Sequence, residues 1–169
     1  MGSGIVGEEE FSEALAPLLE RRWLLVGVGN VLRGDDGFGP FLARALDERG
    51  LPALDGGPAP ENLTGPILRA APEVLLLADA ADFGAEPGAL RLVDPAELDT
   101  GSGSTHDPGF DLLLDYLGRN REMEVALIAA QPATLEFGAV MSPAVEDALD
   151  RAADVIASVT DGSIHHGGR

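Results

Sequence analysis

The chain contains no cysteine and no lysine. Without cysteine there can be no disulfide, no thiolate metal site and no cysteine nucleophile. The protein is therefore expected in a reducing cytoplasm. All eleven basic residues are arginine, and 29 acidic residues leave a net charge of -18 over 169 residues. So little positive charge argues against nucleic-acid binding, which needs a basic face for phosphate. It argues equally against an anionic membrane surface. It fits a cation, a partner with a basic surface, or a well-solvated acidic exterior. Long apolar runs are also missing. Stretches such as 74–78 fall far short of the roughly 20 residues that span a bilayer. The N-terminus lacks a basic region followed by an apolar one, so no signal peptide is expected. Val6 stands where a myristoylation signal would carry Ser or Thr.

A chain of this length can enclose one sizeable core. Residues 8–20 have helical composition, with Phe11, Leu15 and Leu18 or Leu19 on one face. A strand is expected over 23–28 and a helix over 37–49. In that helix Phe38, Phe41, Leu42, Ala45 and Leu46 share one side, and Gly50 stands at its end. Further strands are expected at 51–55, 73–79, 89–93 and 124–130, with helices at 61–70, 107–117 and from Ser142. The run over 73–79 is apolar without alternation, as in a parallel strand covered on both faces. Alternation of strand and helix predicts an α/β fold: a three-layer αβα sandwich around a twisted, mostly parallel, five-stranded sheet. We divide the chain into an N-terminal extension with a short helix (1–22), a single α/β domain (23–160) and a flexible tail (161–169).

The most distinctive stretch is Trp23 to Pro40. A buried strand leads into a loop with Gly27, Gly29, Gly34 and Gly37, and that loop presents two adjacent carboxylates, Asp35 and Asp36. A dinucleotide site is disfavoured on two grounds, although a Rossmann-like nucleotide enzyme stays an open alternative. Leu32 replaces the third glycine of that fingerprint, and carboxylates repel pyrophosphate. The loop suits a cation or a proton better. Ligands in such folds bind beyond the carboxyl ends of the strands. Asp79 ends the third strand, and His106 follows the fourth, delivered by the Gly/Ser loop 99–105. His165 and His166 fall in the tail, so the folded body holds a single histidine. One imidazole and two carboxylates make an N/O ligand set suited to nickel or zinc, with positions left for substrate or water. No G-x-S-x-G elbow is present, which disfavours a serine hydrolase.

The pattern Gly27-x-Gly29-Asn30-x-Leu32-x-Gly34-Asp35-Asp36-Gly37-x-Gly39 resembles the signature of nickel-iron hydrogenase maturation endopeptidases. The blocks Asp55-Gly56-Gly57-x-Ala59-Pro60-Glu61-Asn62, Asp79-Ala80-x-Asp82-x-Gly84, Ser104-Thr105-His106 and Gln131-Pro132 resemble the branch that processes formate-hydrogenlyase-type and archaeal-type large subunits. The resemblance implies an aspartic-type endopeptidase that makes one cut in a nickel-loaded hydrogenase large-subunit precursor and releases its C-terminal extension. It implies Asp36, Asp79 and His106 as both catalytic and metal-binding residues, with nickel supplied by the substrate rather than by a separate cofactor site. A monomer is expected, with the precursor as partner and neither nucleic acid nor membrane. The alternative is a nickel-binding or escort protein without peptidase activity.

Overall fold

The computed structural model describes residues 7–94, 108–120 and 122–166. Five strands form one sheet: β1 (Trp23–Val28), β2 (Ala53–Gly57), β3 (Val74–Ala80), β4 (Leu90–Val93) and β5 (Glu124–Ala130). Their order across the sheet is β2-β1-β3-β5-β4. The first four are parallel, and β4 runs antiparallel to β5 at the edge. Five α-helices accompany them: α1 (Glu8–Leu19), α2 (Phe38–Glu48), α3 (Thr64–Ala70), α4 (Pro108–Asn120) and α5 (Pro143–His166). The α/β sandwich read from the sequence is what the chain forms.

Each face of the sheet is sealed by its own apolar layer. Leu25, Leu76, Ala78 and Ile128 project toward α1, α2 and α5, where they meet Phe11, Leu15, Phe38, Leu42, Leu46, Val145 and Ile156. Leu24, Val26, Leu75, Leu77 and Leu127 project the other way, onto Ile67 of α3 and Leu113 and Leu117 of α4. Alternate side chains of a strand point to opposite faces. All six residues of β1 are consequently buried, although none of them alternates with a polar one. Among the described residues no helix is long and apolar enough to cross a membrane.

Among the boundaries that differ from the sequence reading, three bear on the packing. β2 covers Ala53–Gly57 rather than 51–55, because Asp55 and Gly57 continue the pairing with Gly27 and Val28 of β1. A Cβ on Gly56 would lie 2.9 Å from the Gly27 carbonyl oxygen, and Gly57 takes a positive φ of 54°, so two glycines that look like loop belong inside the strand. α4 passes through Gly118 to Asn120, and an ion pair between Asp115 and Arg119 (3.1 Å) spans the glycine. α5 continues to His166 rather than ending near Asp161. Its core-facing stripe, Ala148, Ala152, Ile156 and the buried Thr160, ends at the boundary expected from the sequence, and the helix continues past it through Asp161 and Gly162.

The first turn of α2 lies backbone against backbone on the sheet. A Cβ added to Gly39 would sit 2.1 Å from the Ala78 oxygen of β3 and 2.5 Å from the Val28 oxygen of β1. One added to Gly27 would sit 2.1 Å from the Gly39 oxygen. Real Cβ atoms do not approach backbone so closely, so these glycines set how near the β1–α2 loop comes to the end of β3. Gly39→Ala is expected to destabilise the fold by about 3 kcal/mol or more, as overpacking against immovable backbone does. Urea denaturation checks this. Gly50→Ala, where a Cβ would meet nothing within 4 Å, is strained only by its positive φ of 76° and should cost less.

Candidate active site

Between β1 and α2 the chain makes a 3-10 turn, Gly34–Gly37, carrying Asp35 and Asp36. Neighbours in such a turn point about 120° apart, because three residues complete one revolution. The two carboxylates therefore part company, and the sequence expectation that both are presented needs correcting. Asp35 is fully buried. Its Oδ2 accepts from the backbone N–H of Ala133 (2.7 Å) and Thr134 (3.1 Å) and from the Ser142 hydroxyl (2.9 Å). Its Oδ1 accepts from the Ser142 N–H (2.7 Å). Ser142 immediately precedes α5, so the carboxylate also faces the positive end of a long helix. The Asp35 N–H donates to the Thr134 oxygen (2.9 Å), and the Gly34 N–H to the Ala139 oxygen (3.2 Å). Asp35 is thus a latch between the turn and the loop 132–142.

Asp36 stays at the rim, half-buried. Its Oδ2 accepts from the Asn30 N–H at 2.7 Å. Gly29, at φ 140°, leaves room for this arrangement, since a Cβ there would fall 1.9 Å from the Asp36 carbonyl oxygen. Asp79 is the penultimate residue of β3 and shares the sheet face of Leu75 and Leu77. Its Oδ1 is enclosed and has no hydrogen-bond partner. Burial, then the negative charge of Asp36, raise its pKa well above the ordinary 3.8, opposed only by the Ala80 N–H. The residue as a whole retains some exposure, so the pair is enclosed but reachable.

Two other acids near this edge are already occupied. Asp55 accepts from Arg44 Nε (2.8 Å) and from the Gly57 N–H (2.9 Å). Asp82 accepts from the Gly84 N–H and from Gln131 Nε2, both at 3.0 Å, and these donors lower its pKa. Gln131 is buried, and its Oε1 accepts from the N–H groups of Phe83 (2.9 Å) and Ala85 (3.2 Å). It clamps the segment that follows Asp79. Glu61, just after β2, keeps a buried, unpartnered Oε2 as well, but it is Asp36 whose charge acts on the unpartnered Asp79.

Among the sequence-predicted site residues, the structure brings Asp36 and Asp79 together. His106 lies outside the described residues, as do the loop 99–105 and the Asp107 cap. The backbone of His165 and His166 continues α5. Among the described residues no three His, Cys, Asp or Glu side chains are grouped so as to hold a metal ion. Two carboxylates are the share of the proposed ligand set that lies within them. An orphaned carboxylate oxygen beside a second carboxylate suits a shared proton or a cation, either of which relieves the repulsion. Sequence reasoning missed Ser142 as the latch partner of Asp35. Its only signal was the Ser-Pro pair that starts α5.

Comparison with known proteins gives a consistent picture. A family model described as hydrogenase maturation protease (HycI) matches residues 41–159, which include Asp79 and His106 but begin just after the Asp35–Asp36 turn. The hydrogenase 3 maturation protease of Escherichia coli K12 is 35% identical over 131 residues, covering 75% of this chain and 83% of that protein. The hydrogenase expression/formation protein HoxM of Cupriavidus necator is 37% identical over 147 residues, covering 78% and 72%. Among solved structures, the [NiFe] hydrogenase maturation protease HycI of Thermococcus kodakarensis superposes with a TM-score of 0.79 at 27% identity, over 88% of this chain and 99% of that one. The solution structure of the endopeptidase HycI from Escherichia coli superposes with a TM-score of 0.69 at 31% identity, over 83% and 90%.

The two neighbouring acids should respond differently to amidation. Asp35→Asn places an NH2 group against backbone donors and is expected to cost about 2–4 kcal/mol. Asp36→Asn should leave the thermal midpoint nearly unchanged, and scanning calorimetry compares the two. Asp79 gives a pH signature. Its folded-state pKa is raised, so its contribution to stability is full below pH 3.8 and is lost as pH rises through the raised value. Asp79→Asn should therefore raise the melting temperature, with a gain that grows from pH 5 to pH 8. A gain that shrinks over that range would contradict the assignment.

Proposed function

The chain belongs to the hydrogenase maturation protease family and is accordingly a peptide-bond hydrolase; we propose that its substrate is the nickel-loaded large-subunit precursor of a nickel-iron hydrogenase. In this reading it makes a single endoproteolytic cut and releases a C-terminal extension, acting in the cytoplasm as a monomer. The observation that carries the proposal is the enclosed, unpartnered Oδ1 of Asp79 beside the Asp36 carboxylate. A stable resting protein has no use for that arrangement. It costs stability unless a cation or a proton arrives with the substrate.

Nickel enters here as part of the substrate, not as a resident cofactor. Asp36 and Asp79 are the two oxygen donors that would meet it, and His106 is the proposed third ligand. Oxygen and imidazole donors suit this metal. When bound, the metal supplies Lewis-acid polarisation of the scissile carbonyl. The chain's own residues do the rest. The Asn30 N–H fixes the Asp36 carboxylate in place. Asp79 holds a proton more tightly than an ordinary carboxylate and is thereby a stronger base when deprotonated. We assign Asp79 to take the proton from an attacking water and return it to the leaving amine nitrogen. Water's oxygen bonds to the carbonyl carbon, and the C–N bond breaks. The protease is aspartic-type in the sense that two carboxylates do the work, with a substrate metal rather than a second free carboxylic acid completing the site.

The test is to incubate the purified protein with the same organism's large-subunit precursor, with and without nickel, and weigh the products by mass spectrometry. The wild type should trim the nickel-loaded form. Asp36→Asn and His106→Ala should remain folded by calorimetry and cut at least about 100-fold more slowly, the usual worth of a positioned acid–base or metal group. Full processing by both variants would overturn the assignment.

A further inference from the structure

Large apolar side chains in this protein are nearly all buried, and the exceptions are not scattered. Among the described residues six are exposed, and four of them, Leu32, Phe41, Phe137 and Val140, stand on or against the two segments joined by the Asp35 latch. Leu32 is 57% exposed, Phe137 75% and Val140 85%. Leu32 shares the loop of the site. Its N–H donates to Asn30 Oδ1 (2.9 Å), and it is the Asn30 N–H that holds Asp36. Its carbonyl accepts from the Gly138 N–H at 2.7 Å. Phe41 continues the apolar ground past Asp36, since a Cβ on Gly37 would lie 2.9 Å from its ring.

The exposure of Phe137 is enforced by the backbone. Residues 136–139 form a tight turn closed by the Ala139 N–H on the Glu136 oxygen (3.1 Å). Gly138 takes φ 84° at its third position, as a type II turn requires. That turn sets an aromatic ring at its outer corner. The same loop sends Leu135 and Met141 inward against the core. It is therefore anchored on both sides of the residues it holds out to solvent. Contiguous exposed apolar residues on a fixed frame mark a binding surface.

The geometry points to this ledge, Leu32, Phe137 and Val140, as the surface that holds an apolar segment of the precursor beside the bond to be cut. The inference rests on the proposed function and adds the residues that select the substrate. Charge decides between occupants. The chain carries -18, and a second copy would bring the same charge to the contact. The ledge residues themselves are uncharged, with Arg33 beside Leu32 and a single acid, Glu136, in the 136–139 turn. A neutral or basic apolar polypeptide is the complementary partner, and an acidic one is repelled. The ledge shares its loop with Asp36, so a chain seated on it is delivered to the carboxylate pair.

The experiment uses the full chain and the same organism's nickel-loaded large-subunit precursor. Cleavage kinetics are measured for the wild type, the double variant Leu32→Ser/Phe137→Ser, Val140→Ser and, as a control of equal exposure elsewhere, Leu112→Ser on α4 (61% exposed). Precursor affinity is measured separately by biolayer interferometry, with each change placed in an Asp36→Asn background so that the complex stays uncut. The double variant should raise KM and Kd by about tenfold or more, with kcat within about twofold, as loss of uniform binding does. Val140→Ser should move both constants the same way by a smaller factor. Leu112→Ser should change nothing. Unchanged KM and Kd in the double variant would overturn the ledge, as would an equal effect of Leu112→Ser. So would a wild-type dimer in sedimentation that the double variant dissolves. If the wild type cuts no precursor, the proposed function fails, while Kd still reports on the ledge by itself.

Discussion

Two carboxylates are held in one another's field at the carboxyl edge of the sheet, and the rest of the site follows from that constraint. Asp79 is the penultimate residue of β3, and Asp36 hangs from the β1–α2 turn. They meet because Gly27 and Gly39 let helix α2 lie backbone to backbone on β1 and β3. Any side chain at either glycine would push the turn away from the strand end. The consequence is visible at Asp79, whose pKa is raised by burial and by Asp36 and whose Oδ1 has no partner. In a protein of marginal stability such an arrangement is retained for use, not for folding.

Around this pair, three neighbouring acids of the edge are satisfied, although Glu61, just after β2, also keeps a buried oxygen without a partner. Asp35 takes four donors and locks the turn to the start of α5. Asp55 is held by Arg44, and Asp82 by Gln131. Fully partnered buried polar groups rigidify their surroundings, whereas unpartnered ones raise the energy of the resting state. The latch serves both ends of the active edge. It fixes the carboxylate that precedes the reacting one, and it props the loop that carries Phe137 and Val140. Under the proposed function, cutting one bond in one precursor would call for both, a site that waits for its substrate and a frame that admits the right chain.

Much of this was legible in the sequence. The uninterrupted apolar runs of β1 and β3 announced parallel strands covered on both faces, and Asp79 and the Asp35–Asp36 pair followed from their places at strand ends, while the choice of Asp36 within the pair came from the family resemblance. What could not be read was which of two consecutive acids is buried. Asp35 and Asp36 are chemically identical, and only the pitch of a 3-10 turn sends them apart. The partners of Asp35 lie about a hundred residues away, so no local pattern names them. Gly56 and Gly57 look like a loop because glycine disfavours strands, yet close approach to Gly27 requires the first in β2 and a positive φ of 54° favours the second. The end of α5 was misplaced because Asp161-Gly162 read as a tail, while Thr160 still faces the core. The exposed ledge could not be told from core residues by composition, since Phe137 owes its position to a turn conformation.

The coupling of the two carboxylates is the claim from which the chemistry is drawn, and carbon-13 NMR titration of the Asp79 side-chain carboxyl measures it directly. In the wild type that carbon should titrate well above the ordinary 3.8, and in Asp36→Asn its midpoint should fall part of the way back as the neighbouring charge is removed. A midpoint near 3.8 in the wild type, or one that Asp36→Asn leaves unmoved, would contradict the account.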